Sequence, residues 1–131
     1  MYRIMFVCKK NSRRSQMAEG FARALGGDKV RVTSAGLEAS FVDPLTVQVM
    51  AEAGIDISQQ TSKPLSDFRP EDFDAVISLC GCGVSLPPEW VTRDYFDDWQ
   101  LEDPEGGDME TFRRVRDQVK ERVVKLLQEL P

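Results

Sequence analysis

Residues 2–15 read YRIMFVCKKNSRRS, a β-prone apolar run followed by a polar and strongly basic loop. Apart from Arg3, residues 2–7 are nearly continuously apolar, as in a strand buried on both faces of a parallel sheet. From residue 14 to 25 apolar side chains recur every four positions, which predicts an amphipathic helix that ends at Gly26-Gly27. The amino terminus is therefore predicted to form a strand, a loop and a helix in succession.

The rest of the chain continues this alternation of strands and helices. Further strands are predicted over residues 30–34, 74–79 and 90–96, and a helix is predicted from Pro44 to Gly54. A loop at residues 80–83 follows the third strand, and an acidic loop with Asp97, Asp98, Glu102 and Asp103 follows the fourth. After Gly106-Gly107-Asp108, apolar residues at helical spacing predict a long final helix.

This order of elements predicts an α/β fold. Strands alternating with helices imply right-handed crossovers and a parallel sheet covered on both faces. We expect a four-stranded parallel sheet flanked by helices, in a single domain over residues 1–131.

Composition and charge exclude several classes of function. A net charge of −5 and a pI near 4.8 argue against broad affinity for nucleic acid or for anionic membranes. The sequence contains no run of about twenty apolar residues and no secretory leader, so we expect a cytoplasmic protein. Nothing in it demands an oligomer, and we expect a monomer.

The chain has three cysteines and no histidine. An odd number of thiols in a reducing compartment argues against a structural disulfide framework. Without histidine, Ser-His-Asp and Cys-His catalysis and the HExxH zinc site are excluded. Proton transfer near neutral pH would have to come from a carboxylate, a lysine or a cysteine.

The reactive side chains are predicted to meet at one edge of the sheet. Cys8 follows the first strand, Cys80 the third and Asp103 the fourth. In parallel sheets the binding site lies at the carboxyl ends of the strands. These three residues are therefore expected to lie close together.

The loop from Cys8 to Ser15 has the properties of an anion site. It joins a strand to a helix amino terminus, where backbone N–H groups and the helix dipole favour a bound anion. The same surroundings are expected to lower the pKa of Cys8, which would then be largely thiolate at neutral pH. Arg14 can grip two oxygens of a tetrahedral oxyanion, and Ser15 can donate its hydroxyl to the sulfur. The alternative is a buried, inert Cys8 beside a solvated basic turn.

The C-x5-R-S pattern of this loop resembles the signature of the low-molecular-weight tyrosine phosphatase superfamily. Most of the chain is similar to its arsenate reductase branch, in blocks that run from the first strand to the final helix. These blocks are Asn11-Ser12, Arg14-Ser15-Gln16-Met17-Ala18-Glu19-Gly20, Ser34-Ala35-Gly36, Gly54-Ile55-Asp56-Ile57-Ser58, Thr61-Ser62, Asp103-Pro104 and Phe112-Arg113-Arg114-Val115-Arg116-Asp117.

The resemblance implies a four-stranded parallel sheet and a role for each loop residue. Cys8 would be the nucleophile, Arg14 the oxyanion clamp, Asn11 a residue that holds the loop's shape, and Asp103 the general acid. The candidate oxyanion-binding residues are Lys9, Lys10, Asn11, Ser12, Arg13 and Arg14. For Asp103, an Asx-type turn before Pro104 is the structural alternative.

Cys80 and Cys82 distinguish a reductase from a phosphatase. A phosphatase needs one cysteine, whereas reduction of As(V) to As(III) takes two electrons that thiols must supply. Attack of Cys8 on arsenate, followed by thiol exchange, could end in a Cys80–Cys82 disulfide. The alternatives are that the pair only fills space, or that it binds zinc, for which one C-x-C offers too few ligands.

The sequence differs from the thioredoxin-linked members of the branch at positions that bear on the choice of electron donor. Those members carry a glycine where this chain has Lys10, a cysteine where it has Arg13, and more widely separated resolving cysteines. A C-x-C disulfide is strained and easily reduced. We therefore expect glutathione with glutaredoxin as the reductant, and thioredoxin as the alternative.

A further departure concerns metal. Asn11, Glu19 and Ser34 match positions that bind a potassium ion in some relatives, but Lys63 stands where those relatives place an aspartate. An ammonium group there could replace the cation. We expect no required metal and no cofactor other than the reductant.

Two rival functions use the same loop. A protein tyrosine phosphatase would need Cys8, Arg14 and Asp103, and Trp99 or Tyr95 would then be candidates to line an aromatic slot. A non-catalytic oxyanion-binding or redox-sensing module would need no acid, so Asp103 would be dispensable.

Overall fold

The computed structural model of the protein describes residues 1–79 and 86–130. The strands of these residues are β1 Tyr2–Cys8, β2 Val30–Gly36, β3 Ala75–Ser78 and β4 Tyr95–Asp98. Their α-helices are α1 Arg14–Gly26, α2 Pro44–Glu52, α3 Pro88–Val91 and α4 Met109–Glu129. The sheet has the order β2-β1-β3-β4, with every neighbouring pair parallel. The predicted four-stranded parallel α/β fold is confirmed.

The central strand β1 supplies side chains to both faces of the sheet, because successive side chains of a strand point to opposite sides. Ile4 and Phe6 belong to a cluster that includes residues of α1, α2 and α4. Met5 and Val7 belong to a second cluster, with residues of the short helical turns and of α3. Since both faces are covered, β1 is fully apolar from Ile4 to Val7.

The predicted helices and their caps are present. Asp108 caps α4 by accepting a hydrogen bond from the Thr111 N–H at 2.9 Å. The predicted apolar stripe of α4 is buried as far as Leu126, while its last member, Leu130, follows the helix and is partly buried. The α1 helix ends at Gly26, and the following Gly27 has a φ of 56°, which is left-handed and suits a glycine.

The second strand is two residues longer than predicted and ends beside the anion loop. Gly36 pairs with Cys8 in the parallel register. A Cβ at Gly36 would lie 2.5 Å from the carbonyl oxygen of Glu38 and 2.8 Å from the backbone nitrogen of Asn11. Glycine is therefore required here because two backbone segments approach closely.

The prediction of a strand over residues 90–96 was wrong in its boundaries. Pro88 stands in the first turn of α3, where its fixed φ suits a helix, and Trp90 of that helix packs against Phe73 at a ring-centroid distance of 5.8 Å. The strand β4 begins only at Tyr95 and includes Asp97 and Asp98, which the sequence placed in a loop. As an edge strand paired only with β3, β4 tolerates these charges.

The predicted loop at residues 80–83, with Cys80 and Cys82, lies outside the described residues. Within the part of the chain that the structure describes, no helix is both long and apolar enough to cross a membrane.

Candidate active site

The anion loop connects the end of β1 to the start of α1 and encloses a small cavity. This cavity has a volume of about 110 Å³. Its lining residues are Cys8, Lys9, Lys10, Ser12, Arg13, Arg14, Asp103 and Glu105. The structure therefore brings Cys8 and Asp103 to the same edge of the sheet, in a space that suits a small tetrahedral anion.

Cys8 lies at the end of β1 and is only 4% exposed. Burial raises the pKa of the Cys8 thiol, because it penalises the charged form, and the carboxylate of Asp103 raises it further. The Arg14 guanidinium and the backbone N–H groups of Lys9 and Ser15 act in the opposite direction, but burial is the largest effect. The raised pKa is opposite in direction to the lowered pKa that the sequence predicted for Cys8, because sequence patterns do not reveal burial.

Arg14 is 6% exposed, and its guanidinium both contacts the residues around the site and lines the cavity. Its Nη1 donates to the carbonyl oxygens of Leu79 at 3.2 Å and Leu101 at 2.9 Å, and its Nη2 lies 3.4 Å from Oδ2 of Asp103. Arg14 thereby connects Leu79, which precedes Cys80, to the loop that carries Leu101 and Asp103.

Two buried donors of the cavity have no hydrogen-bond partner among the described residues. They are Nε of Arg14 and Oγ of Ser12. A buried polar group without a partner is costly, and a bound oxyanion would accept from both. This pair of donors is the clearest structural sign of an anion site.

Asn11 holds the loop's shape from outside the cavity. It adopts a left-handed φ of 52°, which is uncommon for a residue other than glycine. Its side-chain nitrogen donates to Ser15 Oγ at 2.8 Å and to Ser34 Oγ at 2.9 Å, and its side-chain oxygen accepts from the Lys63 N–H at 2.9 Å. The side chain that was predicted to bind the oxyanion therefore points to the surrounding protein.

Gln16 is a second positioning side chain, and sequence reasoning missed it. Its Nε2 donates to the carbonyl oxygens of Asn11 at 3.1 Å and Thr61 at 3.0 Å. Gln16 is fully buried at the start of α1. The signal in the sequence was a polar residue beside the Arg14-Ser15 pair, which does not by itself distinguish a buried from an exposed amide.

Arg13 faces two carboxylates. Its Nε donates to Oδ2 of Asp43 at 2.8 Å, and its Nη2 lies 3.5 Å from Oε2 of Glu105. Asp43 also caps α2 by accepting from the Leu45 N–H. The guanidinium of Arg13 therefore connects the anion loop to the start of α2 and to the loop that carries Asp103 and Glu105. Glu105 lines the cavity, and the sequence did not single it out.

The carboxylate of Asp103 forms the Asx-type turn and also lines the Cys8 cavity. Its Oδ1 accepts from the Glu105 N–H at 3.0 Å, which is the Asx-type turn, and its Oδ2 faces Arg14 beside the cavity. Its side chain is 41% exposed and therefore reaches both the cavity and solvent. The turn orients the carboxyl group toward the cavity and does not compete with a catalytic role.

The aromatic slot suggested for a phosphatase is not formed by Trp99 or Tyr95. Trp99 is 3% exposed, packs against Phe6 at a ring-centroid distance of 5.9 Å, and donates from Nε1 to Asp97. The Tyr95 hydroxyl donates to Glu129. Among the residues that the structure describes, no aromatic side chain lines the Cys8 cavity.

Potential metal ligands are dispersed over the described residues. Across 1–79 and 86–130, no group of three or more histidine, cysteine, aspartate or glutamate side chains is arranged to hold a metal ion.

A cysteine at the base of an anion loop, at the carboxyl ends of the strands of a parallel sheet, defines a class of proteins that bind an oxyanion beside a cysteine thiol. The architecture is that of a phosphatase. The chain belongs to the low molecular weight phosphotyrosine protein phosphatase family, whose sequence pattern matches residues 3–131.

Individual relatives narrow the comparison. The chain is 63% identical to the glutaredoxin arsenate reductase of Synechocystis sp. over 127 residues, which cover 97% of each chain. A solved arsenate reductase in the phosphate binding state has a TM-score of 0.95 and 61% identity, with 100% of each chain covered. The low molecular weight protein tyrosine phosphatase of T. tengcongensis has a TM-score of 0.81 and 30% identity, covering 99% of this chain and 100% of its own.

Proposed function

We propose that this protein is an arsenate reductase that converts arsenate to arsenite, with its own thiols as the immediate electron source. The observation that carries the proposal is the cavity of about 110 Å³ above Cys8, which has two buried unpartnered donors and no aromatic wall among the described residues. Two further cysteines in the sequence, Cys80 and Cys82, supply the thiols that a reduction needs. The similarity to a glutaredoxin arsenate reductase supports the same conclusion.

The buried thiol of Cys8 can be activated by the substrate itself. A neutral Cys8 thiol beside the arsenate dianion contains the same protons and the same charge as a Cys8 thiolate beside the arsenate monoanion. Transfer of the thiol proton to the bound dianion therefore produces the nucleophile inside the cavity, where Arg14 and the loop N–H groups stabilise the negative charges. The raised pKa of free Cys8 is compatible with this step, because no thiolate is needed before arsenate binds.

In the first chemical step the Cys8 sulfur attacks arsenic and one As–O bond breaks. Asp103 gives a proton to the leaving hydroxyl group, which departs as water, and a thioarsenate monoanion remains on Cys8. Arg14 would hold two of the equatorial oxygens through Nε and Nη2. The backbone N–H groups of Lys9 and Ser15 both face the Cys8 sulfur and are its two backbone donors.

In the second step a thiolate of the Cys80 and Cys82 pair attacks the Cys8 sulfur. The S–As bond breaks, its electron pair stays on arsenic, and As(V) becomes As(III), which leaves as arsenite after protonation. Attack by the remaining thiol then releases Cys8 and forms the Cys80–Cys82 disulfide. The connection from Arg14 to the Leu79 carbonyl places the residue before Cys80 beside the clamp.

In this proposal glutathione and glutaredoxin reduce the Cys80–Cys82 disulfide and regenerate both thiols, with thioredoxin as the alternative reductant. A C-x-C bridge is strained and easily reduced, and the similar Synechocystis protein is named for glutaredoxin. The enzyme would act in the cytoplasm as a monomer, without a resident metal, as part of arsenical resistance.

The experiment that tests this function compares electron donors. Arsenite formation should be sustained by glutathione with glutaredoxin, and should fall at least about tenfold when thioredoxin with its reductase replaces them. Arsenite formation with thioredoxin and its reductase at a rate equal to or above that with glutathione and glutaredoxin would contradict the choice of reductant. No arsenite with either system would contradict the function.

Asp103→Asn tests the general acid. The change should lower kcat by roughly 10²-fold, because the leaving oxygen loses its proton donor. The thermal midpoint should change little, since asparagine can accept the Glu105 N–H bond of the turn. Asp28→Asn, between α1 and β2, is a control that removes an exposed carboxylate outside the lining of the cavity. A kcat for Asp103→Asn within a factor of about two of the wild type would identify a different acid.

The second candidate function is a protein tyrosine phosphatase, which the family membership favours. It would use the same Cys8, Arg14 and Asp103, and water would hydrolyse the phospho-cysteine. A protein with Cys80→Ser and Cys82→Ser separates the two functions. The phosphatase would be supported if this variant hydrolysed a phosphate ester at the full rate and the wild type were inert toward arsenate.

A further inference from the structure

A buried carboxylate lies on the outer side of the anion loop. Glu19 on α1 is 4% exposed, and both of its oxygens have partners. Its Oε2 accepts from Arg23 at 2.7 Å, while its Oε1 accepts from the Ser34 hydroxyl and lies 3.7 Å from Nζ of Lys63. Lys63 also donates to the Thr61 carbonyl oxygen at 2.7 Å. A buried charge persists only when it is paired in this way.

A chain of hydrogen bonds with a fixed direction links this carboxylate to Ser15, whose backbone N–H faces Cys8. The Ser34 hydroxyl donates to Glu19, so its lone pair can accept from the side-chain nitrogen of Asn11. The other N–H of that nitrogen donates to Ser15 Oγ. Because Ser15 Oγ accepts this bond, its own hydrogen is left to point elsewhere.

Lys63 contacts the same chain of hydrogen bonds twice. Its ammonium faces Glu19 at one end, and its backbone N–H donates to Oδ1 of Asn11 in the middle. Its carbonyl oxygen also accepts from the Gly36 N–H at the end of β2, at 2.8 Å. Lys63 therefore shares the compensation of the buried charge with Arg23 and also fixes the amide that holds the left-handed turn of the loop.

The potassium site that the resemblance implies does not fit these residues. A metal ion bound by Asn11, Glu19 and Ser34 would compete with hydrogen bonds that the oxygens of all three side chains already accept. It would also lie beside the Lys63 ammonium, which would repel it.

We propose that the Lys63 ammonium is a built-in cation that positions the anion loop through Glu19, Ser34 and Asn11. Lys63 is a positioning residue, since it reaches Cys8 and the oxyanion only through other side chains. The consequence is a site that works without a monovalent metal ion. Removal of the ammonium leaves the Oε1 side of Glu19 without its cation.

An ion could reach that position from solvent. Glu19, Arg23 and Lys63 line an open cavity of about 580 Å³, far larger than the Cys8 cavity. In a Lys63→Met variant the side chain keeps most of its length but loses the charge. Potassium or ammonium ions could then enter and restore the pairing of the carboxylate, so the variant should acquire a dependence that the wild type lacks.

The test uses the whole enzyme in choline chloride and in potassium chloride of equal ionic strength. In choline, Lys63→Met should lose between about tenfold and 10²-fold in kcat/KM for arsenate, because a displaced loop misplaces the nucleophile. Potassium should restore at least about half of that loss on a logarithmic scale, and Lys63→Arg should stay near the wild type. Lys120→Met, which removes an exposed ammonium from α4, is the matched control.

The rate of Cys8 alkylation by iodoacetamide and the affinity for inorganic phosphate are measured in parallel. Both measurements report the conformation of the loop and do not require arsenate reduction. The inference rests on the proposed function only for its kinetic readout. Both measurements should change in Lys63→Met and recover with potassium, even if the wild type were to prove inert toward arsenate. Wild-type values for Lys63→Met in choline, or a loss that neither potassium nor the arginine variant restores, would overturn the proposal.

Discussion

Cys8→Ser is expected to abolish arsenite formation. A serine hydroxyl is a far weaker nucleophile than a thiol, and oxygen cannot form the disulfide through which arsenic gains two electrons. The substitution is small, and the oxygen that replaces the sulfur would still accept from the N–H groups that now face it, those of Lys9 and Ser15. The fold and the anion cavity should therefore survive the change.

The measurement is arsenite production under multiple turnover, together with phosphate binding by calorimetry. The variant should bind phosphate within about threefold of the wild type while producing no arsenite above the uncatalysed rate. Retained phosphate binding shows that the loop is intact, so loss of activity can be assigned to the sulfur. Arsenite production by Cys8→Ser at a rate near that of the wild type would mean that another thiol attacks arsenate.

Arg14→Lys should have the second largest effect, although it preserves the charge. Lysine presents one ammonium and cannot hold two equatorial oxygens at once. Arg14 donates to the Leu79 and Leu101 carbonyl oxygens with Nη1 alone. The one nitrogen of lysine could not make these two hydrogen bonds and contact an anion at the same time. We expect kcat/KM for arsenate to fall by about 10³-fold or more, since each lost donor to a developing oxyanion costs roughly 10²-fold.

Arg31→Lys on β2 is the matched control, because Arg31 is exposed and does not line the cavity. It should leave kcat/KM within about twofold of the wild type. Phosphate affinity should fall only in Arg14→Lys. If Arg14→Lys kept kcat/KM within about tenfold, the planar fork would not be the oxyanion clamp.

The anion loop could be predicted because its information is local. Cys8, Arg14 and the start of α1 lie within one strand-loop-helix unit, so spacing alone places them together. Parallel strands also end at a common edge, and this rule placed Asp103 beside Cys8 from positions far apart in the sequence.

What the sequence did not reveal depends on burial and on distant partners. The pKa of Cys8 is raised because the residue is enclosed, and a motif contains no measure of enclosure. The pairing of Arg13 with Asp43 and Glu105 joins three segments whose charges look like ordinary surface residues. The start of β4 was misplaced since Pro88 and Trp90 form a helical turn that short-range propensity does not distinguish from a strand.

Reduction of arsenate by the protein's own thiols is tested most directly by a single turnover without external reductant. Fully reduced protein is mixed with excess arsenate, and arsenite and free thiols are counted at the end. We predict about one arsenite per chain and the loss of two of the three thiols, recovered by mass spectrometry as a Cys80–Cys82 disulfide. All three thiols still free and no arsenite, in a sample that hydrolyses a phosphate ester repeatedly, would contradict thiol-based reduction.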